Sequence, residues 1–388
     1  MKAVILVAGE GHRLEPLTEN RPKPMVPVAN KPVLEYVVEA VAEAGVDEIV
    51  LVVGYERSRI QSHFGDGDDW GVSIEYAIQE KQLGTAHAVL QAAPLVDEPF
   101  LVLNGDRIID TSAVESVVAA YEGDDALVTV TSVDTPTRYG VVDLDGDRVL
   151  EIREKPLAHE VSSNLINAGV YALDPGIFDR IEARIVEAHG ETGLPATLSE
   201  LAAEASVRAV RYDGRWLDLT YLWDLPFLNG RLLEETNGPA IEDATVSEDA
   251  SVAADVAIDR GSQVRPFATI GRGVALGENV SVGASAVLSN AVVMADATIE
   301  PGAVVTNAVI GQNATVGANA TIAGGRGGLV VEGAYHEDVD LGGVVGDNST
   351  LGANVTVAPA TIVGTDATVD SGVTIDRRVP SGTEVRRG

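Results

Sequence analysis

Two cations, Arg13 and Lys23, punctuate one unusual run near the start of the chain. It reads Ala8-Gly9-Glu10-Gly11-His12-Arg13-Leu14-Glu15-Pro16-Leu17-Thr18 and continues to Arg21-Pro22-Lys23-Pro24-Met25. Glycines allow backbone N–H groups to approach an anion closely, and the two side chains add positive charge. The run is therefore suited to phosphate. It follows the apolar stretch Ala3-Val4-Ile5-Leu6-Val7, which places it at the carboxyl end of a strand, where open α/β sheets bind ligands. Two common phosphate loops are excluded. A dinucleotide fingerprint needs a third glycine where Leu14 stands and a helix running onward, and Pro16, Pro22, Pro24 and Pro27 oppose that helix. No Gly-Lys-Ser or Gly-Lys-Thr occurs. A carboxylate follows a second buried-strand pattern, Phe100-Leu101-Val102-Leu103-Asn104, at Gly105-Asp106. There an aspartate can form a turn or hold Mg²⁺, which takes one or two carboxylates plus phosphate oxygens.

Taken whole, the first run resembles the sugar-1-phosphate nucleotidylyltransferase signature, Gly-x-Gly-x-Arg-x-x-Pro-Leu-Thr followed by Pro-Lys-Pro. The resemblance implies that Ala8, Gly9 and Gly11 wrap the nucleotide phosphates, while Arg13 and Lys23 act catalytically by neutralising triphosphate and sugar phosphate. His12 departs from the threonine or serine usual in the family, which leaves the backbone as the contact there. Asp106 and Asp218, the latter in Trp216-Leu217-Asp218-Leu219-Thr220, match the family's Mg²⁺-binding aspartates. Gln79 follows the strand-like Ser73–Ile78, and its amide can read a pyrimidine edge. With Gly84 and Thr85 it matches the nucleotide-base segment; Thr85 also reads as a helix cap. Gly140, Glu154, Lys155 and Asn167 match the sugar-phosphate side. Lys23 and Lys155 are two of only five lysines in the chain, and an ammonium is a compact charge suited to phosphate.

Positioning these residues requires a sheet. Strand patterns fall at 2–7, 48–53, 74–78, 99–104, 126–133 and 167–173, and helical patterns near 32–44, 85–93, 112–121, 176–188 and 221–234. Such alternation implies an α/β, Rossmann-like domain with a mixed, mostly parallel sheet covered on both faces, residues 1–235. The cluster Asn237-Gly238-Pro239 breaks the last helix. From 240 to 388 apolar residues recur every six positions: Val246, Val252, Ile258, Val264, Ile270, Leu276, Val282, Leu288 and Met294. After one slip the spacing partly recovers at Ile299, Val305, Val316 and Ile322, and it returns at Val345, Leu351, Val357, Val363, Val369 and Ile375. This is the hexapeptide period of a parallel β-helix, and it resembles the left-handed kind, with three hexads per coil and the apolar residue on the axis. Residues 323–343 interrupt it as an inserted loop.

Composition narrows the class. The 388 residues carry a formal charge of -32 and no cysteine, which excludes disulfides and thiolate metal sites. So acidic a surface is unsuited to nucleic acid, and its spread along the chain reads as a halophile's, tolerable where concentrated salt screens self-repulsion. No apolar run supports a membrane span and no secretory signal is visible, so a cytoplasmic enzyme is expected.

The expected reaction joins UTP or dTTP to a sugar 1-phosphate, glucose 1-phosphate first, giving a nucleotide sugar and pyrophosphate. N-acetylglucosamine 1-phosphate and mannose 1-phosphate with a guanylyl donor are alternatives, as is a non-catalytic nucleotide-binding assembly subunit. The layout is similar to the bifunctional enzymes that make UDP-N-acetylglucosamine and add acetyl transfer on a β-helix. Acetyl transfer wants a base, yet residues 236–388 hold one histidine, His336, and no lysine. The basic cluster expected for coenzyme A phosphates is missing there, although Arg326, Arg377 and Arg378 remain. The β-helix is otherwise expected to make a homo-oligomer, a trimer by its resemblance to similar proteins whose flat faces pack in threes.

Overall fold

Alternating side chains of the first strand point to two different cores, so that strand is central and covered on both faces. The computed structural model describes residues 1–388 apart from 124–125, 189–191 and 237, so Asn237 of the expected break lies outside the described residues. Contacts divide the chain into two units. One comprises Met1–Glu10, Pro22–Met25 and Val33–Asp218, the other Gly11–Arg21, Val26–Pro32 and Leu219–Gly388.

The first unit contains strands β1 (Ala3–Val7), β2 (Glu48–Val53), β3 (Ser73–Ile78), β4 (Phe100–Asn104), β5 (Arg107–Ile109), β6 (Ala126–Ser132), β7 (Gly140–Asp145), β8 (Arg148–Glu154), β9 (Leu165–Leu173), β10 (Val207–Arg211) and β11 (Trp216–Asp218). Its helices are α1 (Val33–Glu43), α2 (Arg57–Phe64), α3 (Thr85–Gln91), α4 (Thr111–Ala120), α5 (Ile177–Ala188) and α6 (Leu194–Glu204). Nine strands form one sheet in the order β3-β2-β1-β4-β9-β6-β10-β8-β7. Strands β1 to β4 are mutually parallel, whereas β9 runs antiparallel to both β4 and β6. The sheet is therefore mixed. Strands β7 and β8 pair antiparallel because the Gly146-Asp147 link between them is far too short for a crossover. Ala3, Ile5 and Val7 pack with α1 and α4 through Leu34, Val38 and Val114. Val4 faces the other way, with Val89 of α3, Ile181 of α5 and Leu198 of α6. The strands expected from the sequence all form, as do the helices. Helices α2 and α6 were not anticipated; in α2 only Ile60 and Phe64 of eight residues are buried, too few to give a helical period.

In the second unit the hexads stack as expected. Val246, Val264, Val282, Ile299, Val316, Leu351 and Val369 pair in successive parallel strands. A second side stacks Ile270, Leu288, Val305, Ile322, Val357 and Ile375, and a third Ile258, Leu276, Val293, Ile310, Val345 and Val363. One position is corrected. The slip precedes Met294: Val293 pairs with Leu276 and belongs to the axial core. The corner between Leu288 and Val293 is one residue short, turned by Asn290 at φ 46°, and Asn307 at φ 50° does the same between Val305 and Ile310. Asparagine tolerates the left-handed conformation, and stacked corners bond to one another, as where Asn290 donates to Asn307 Oδ1 at 2.8 Å.

Helix α7 (Asp224–Glu234) packs on this coil, with Leu233 against Ala257 and Ala275, and the fully buried Asn229 donates to Gly273 O at 2.9 Å. Within the inserted segment Arg326–Val331 and Ala334–Asp340 form an antiparallel hairpin. Glu332 and Gly333 at its tip both have positive φ, the requirement of a tight two-residue turn. Among the described residues no helix is long and apolar enough to cross a membrane.

Charge of this density sets an expectation for stability. With -32 formal charge, raising KCl from about 0.1 M to about 2 M should raise the melting temperature by about 10 °C by screening self-repulsion. Thermal melts across a KCl series check it, and a flat or falling series argues against a salt-adapted surface.

Candidate active site

One edge of the first unit's sheet gathers most of the chemistry. Strands β1, β3 and β4 are parallel, directly or through β2, so their carboxyl ends present Ala8, Gln79 and Asp106 on the same side. Strand β9 runs the opposite way beside β4, with Val170 opposite Leu103, so its early residue Asn167 reaches that edge too. Strand β11 pairs with β5 and sets Asp218 opposite Arg107.

Asp106 is reached through Gly105, whose N–H donates to Leu6 O at 3.0 Å. A Cβ on Gly105 would collide with Val7, so only glycine lets the chain turn this close to β1. Lys23 sits in a short 3₁₀ turn from Lys23 to Met25, and its ammonium donates to Asp106 Oδ2 at 2.6 Å. Arg107 Nη1 pairs with Asp218 Oδ1 and lies 3.9 Å from Asp106 Oδ1. Its guanidinium also stands 5.3 Å from the centre of the Trp216 ring, whose Nε1 donates to Ala168 O at 2.8 Å. Partial burial works against ionisation of Asp106, but the charges of Arg107 and Lys23 and the Lys23 hydrogen bond outweigh it. They hold the carboxyl well below the usual carboxylate range. Among the described residues no group of three or more acidic, histidine or cysteine side chains gathers as a metal site. Two carboxylates joined to a phosphate-rich substrate suffice for Mg²⁺, so the donor set fits that ion.

The residues expected to face a nucleotide base lie at the ends of β1 and β3. Gln79 is 5 % exposed; its Nε2 donates to Gly84 O at 3.2 Å and lies 2.9 Å from His87 Nδ1. Gln82 Nε2 donates to Ala8 O at 2.8 Å, tying this segment to the glycine run next to Gly9. Gly84 has φ 91° and a Cβ there would strike the Thr192 backbone. Thr85 begins α3, but its hydroxyl does not cap it. The residue at the cap is Gly84, and Thr85 Oγ1 instead accepts from Leu194 N at 2.8 Å.

The residues expected on the sugar side converge as well. Gly140 and Glu154 are register partners, and a Cβ on Gly140 would stand 2.8 Å from Glu154 Oε2 and 3.8 Å from Asn167 Cβ. Asn167 accepts from Gly169 N at 3.0 Å and donates to the Tyr171 hydroxyl at 2.6 Å. Lys155 turns out of β8 with φ 44°, its N–H donating to Tyr139 O at 3.0 Å.

Gly11 and Arg13 belong to the second unit. Gly11 has φ 78° and its carbonyl accepts from Thr18 Oγ1 at 2.9 Å. Arg13 Nε donates to Glu332 Oε2 at the hairpin tip at 2.6 Å, and its guanidinium lies 5.9 Å from the Tyr221 ring centre. His336 packs 5.1 Å from both Tyr221 and Trp223, which stack on each other. Sequence reasoning passed over Arg107 and gave Trp216 and Glu332 no role in these contacts. Arg107 carried a signal in its place beside Asp106; Glu332 had none, because its partner is 319 positions away.

Residues 2–225 match the nucleotidyl transferase family and residues 252–380 match the GMPPB C-terminal domain. A bifunctional GlmU protein of Methanococcus maripaludis is 42% identical over 236 residues, covering 61% of this chain and 55% of the relative, so the chain spans about half the length of that protein. The UTP–glucose-1-phosphate uridylyltransferase AglF of Haloferax volcanii is 37% identical over 241 residues, 61% of this chain and 98% of the relative. A crystal structure described as a glucose-1-phosphate thymidylyltransferase from Bacillus anthracis, in complex with sucrose, superposes with a TM-score of 0.56 at 28% identity. It covers 61% of this chain and 96% of its own.

Proposed function

Because this chain belongs to the nucleotidyl transferase family, we propose that it transfers a nucleotidyl group from UTP or dTTP to a sugar 1-phosphate, with glucose 1-phosphate as the first acceptor. A phosphate oxygen of the sugar forms a bond to the α-phosphorus, the α–β bridging bond breaks, and pyrophosphate leaves with its electron pair. The acceptor is already an anion, so no general base is required. The difficulty is bringing two anions together, which calls for fixed positive charge. The observation that carries the reading is the Lys23–Asp106–Arg107–Asp218 quartet on the sheet edge that also bears Gln79 and Asn167.

In this reading Asp106 and Asp218 hold Mg²⁺, which supplies Lewis-acid neutralisation of phosphate oxygens. Lys23, aligned by its contact with Asp106, and Arg13 offset phosphate charge. Ala8, Gly9 and Gly11 give backbone donors to the nucleotide, and Gln79, with Gly84 and Thr85 beside it, faces the base. Gly140, Glu154 and Asn167 bind sugar hydroxyls, and Lys155 the sugar phosphate. A second acceptor, N-acetylglucosamine 1-phosphate, is favoured by the 42% likeness to GlmU. His336, packed on two aromatic rings, is given a packing role in preference to acetyl transfer.

A panel of UTP, dTTP and GTP against glucose, N-acetylglucosamine and mannose 1-phosphates, read by pyrophosphate release with Mg²⁺, tests the reading. Release with UTP or dTTP and glucose 1-phosphate is expected. Nucleotide binding without turnover of any pair would instead support the non-catalytic assembly subunit.

A further inference from the structure

Three charged side chains, Lys23, Arg107 and Asp218, gather beside Asp106, and Arg107 lies between the two carboxylates. Arg107 Nη1 pairs with Asp218 Oδ1 and lies 3.9 Å from Asp106 Oδ1, so one guanidinium nitrogen bridges the two carboxylates. Lys23 contacts the other oxygen of Asp106 at 2.6 Å. Within this quartet the formal charges cancel. Asp218 is 4% exposed and Arg107 18%, so the pair is well shielded and its attraction stronger than at an open surface.

The backbone cannot relieve this arrangement. Arg107 and Asp218 are register partners in the two-stranded β5–β11 ladder, so the two residues stay opposite each other whatever occupies the site. Arginine does not lose its proton in proteins, so the guanidinium can release the carboxylates only by moving. The Trp216 ring already flanks the guanidinium at 5.3 Å, so new partners must come from a bound triphosphate, whose oxygens suit the guanidinium fork.

We propose that Arg107 is a built-in counter-ion that competes with the divalent cation for Asp106 and Asp218, making metal binding depend on nucleotide. This rests on the reading that those aspartates hold the metal. In the nucleotide-free protein the guanidinium occupies the carboxylates and metal binds weakly. When nucleotide phosphates draw the guanidinium away, the carboxylates become available, so metal and nucleotide bind with positive coupling. By linkage each ligand strengthens the other by the same factor.

The test is MnCl₂ binding to the full-length protein, followed by calorimetry or electron paramagnetic resonance, with and without a non-hydrolysable UTP analogue. Arg107→Gln should tighten Mn²⁺ binding to the nucleotide-free protein by about tenfold, the effect of removing one close competing charge, and should shrink the gain produced by the analogue. Arg107→Lys keeps the charge and should stay within about threefold of the parent protein, which separates competition from a folding defect. Unchanged or weaker Mn²⁺ binding in Arg107→Gln, while Asp106→Asn abolishes binding, overturns the counter-ion role and leaves the metal site standing. Retention of Mn²⁺ binding by Asp106→Asn overturns the metal assignment itself, and the proposal with it.

Discussion

Replacing Asp106 by Asn should lower kcat for pyrophosphate release by about a thousandfold while leaving the protein folded. A metal that neutralises developing phosphate charge contributes several kcal/mol at the transition state, and each 1.4 kcal/mol or so is tenfold in rate. Asparagine keeps the shape of the side chain but not its charge. It leaves the Lys23 ammonium, 2.6 Å away, and the Arg107 guanidinium facing a neutral amide. The aspartate itself is held ionised: its lowered pKa means that its contribution to stability is present above the ordinary carboxylate range. That contribution is lost only as the pH falls through the lowered value. The substitution should therefore cost activity across the neutral range, not only at acid pH. Initial rates at saturating Mg²⁺, with thermal melting alongside, decide the matter. A folded variant keeping a tenth or so of the parent rate would remove Asp106 from the metal site.

The second large effect is on stability. Arg21 and Asp347 form an ion pair at 2.5 Å, with side chains 6% and 5% exposed. Arg21 also donates to Met294 Sδ at 2.6 Å, and Asp347 accepts from Gln312 N at 2.8 Å. Arg21→Ala should lower the unfolding free energy by about 3–5 kcal/mol, because it strands a buried carboxylate. The double replacement Arg21→Met with Asp347→Leu should cost far less, since two apolar side chains leave no charge unpaired. Denaturant unfolding of the two variants at fixed KCl separates them. Equal losses would mean that the pair itself, and not the stranded charge, supplies the stability. Thr365 and Ser381 add two further ties within the same unit, Thr365 Oγ1 to Pro16 O at 3.3 Å and Ser381 Oγ to Glu19 Oε1 at 2.8 Å.

Much of this protein could be read from local pattern. The alternation of apolar strands and amphipathic helices located the central strands, and a strand's carboxyl end located Asp106. The hexad period gave the stacking of the β-helix, because a period records which side chains share an axis. It failed at Met294 for a local reason: a corner can lose one residue when an asparagine accepts a positive φ, as Asn290 does. The period then shifts without warning, and Val293 takes the axial position. Thr85 is a similar case. Its type suited a helix cap, but a backbone N–H of Leu194, more than a hundred positions on, claimed its hydroxyl.

The sequence by itself determined the two architectures, the sheet edge on which the carboxylates and amides collect, and the family to which they point. Each depends on spacing within a few tens of residues, where periodicity and turn chemistry act directly. Only the tertiary structure decided how the charges are paired. It set Arg107 against both aspartates and Lys23 against one of them. It also placed Arg13 on Glu332 and Arg21 on Asp347 within the second unit. Coulombic partners are chosen by distance in space, and residues 319 and 326 positions apart leave no periodic trace of that choice along the chain.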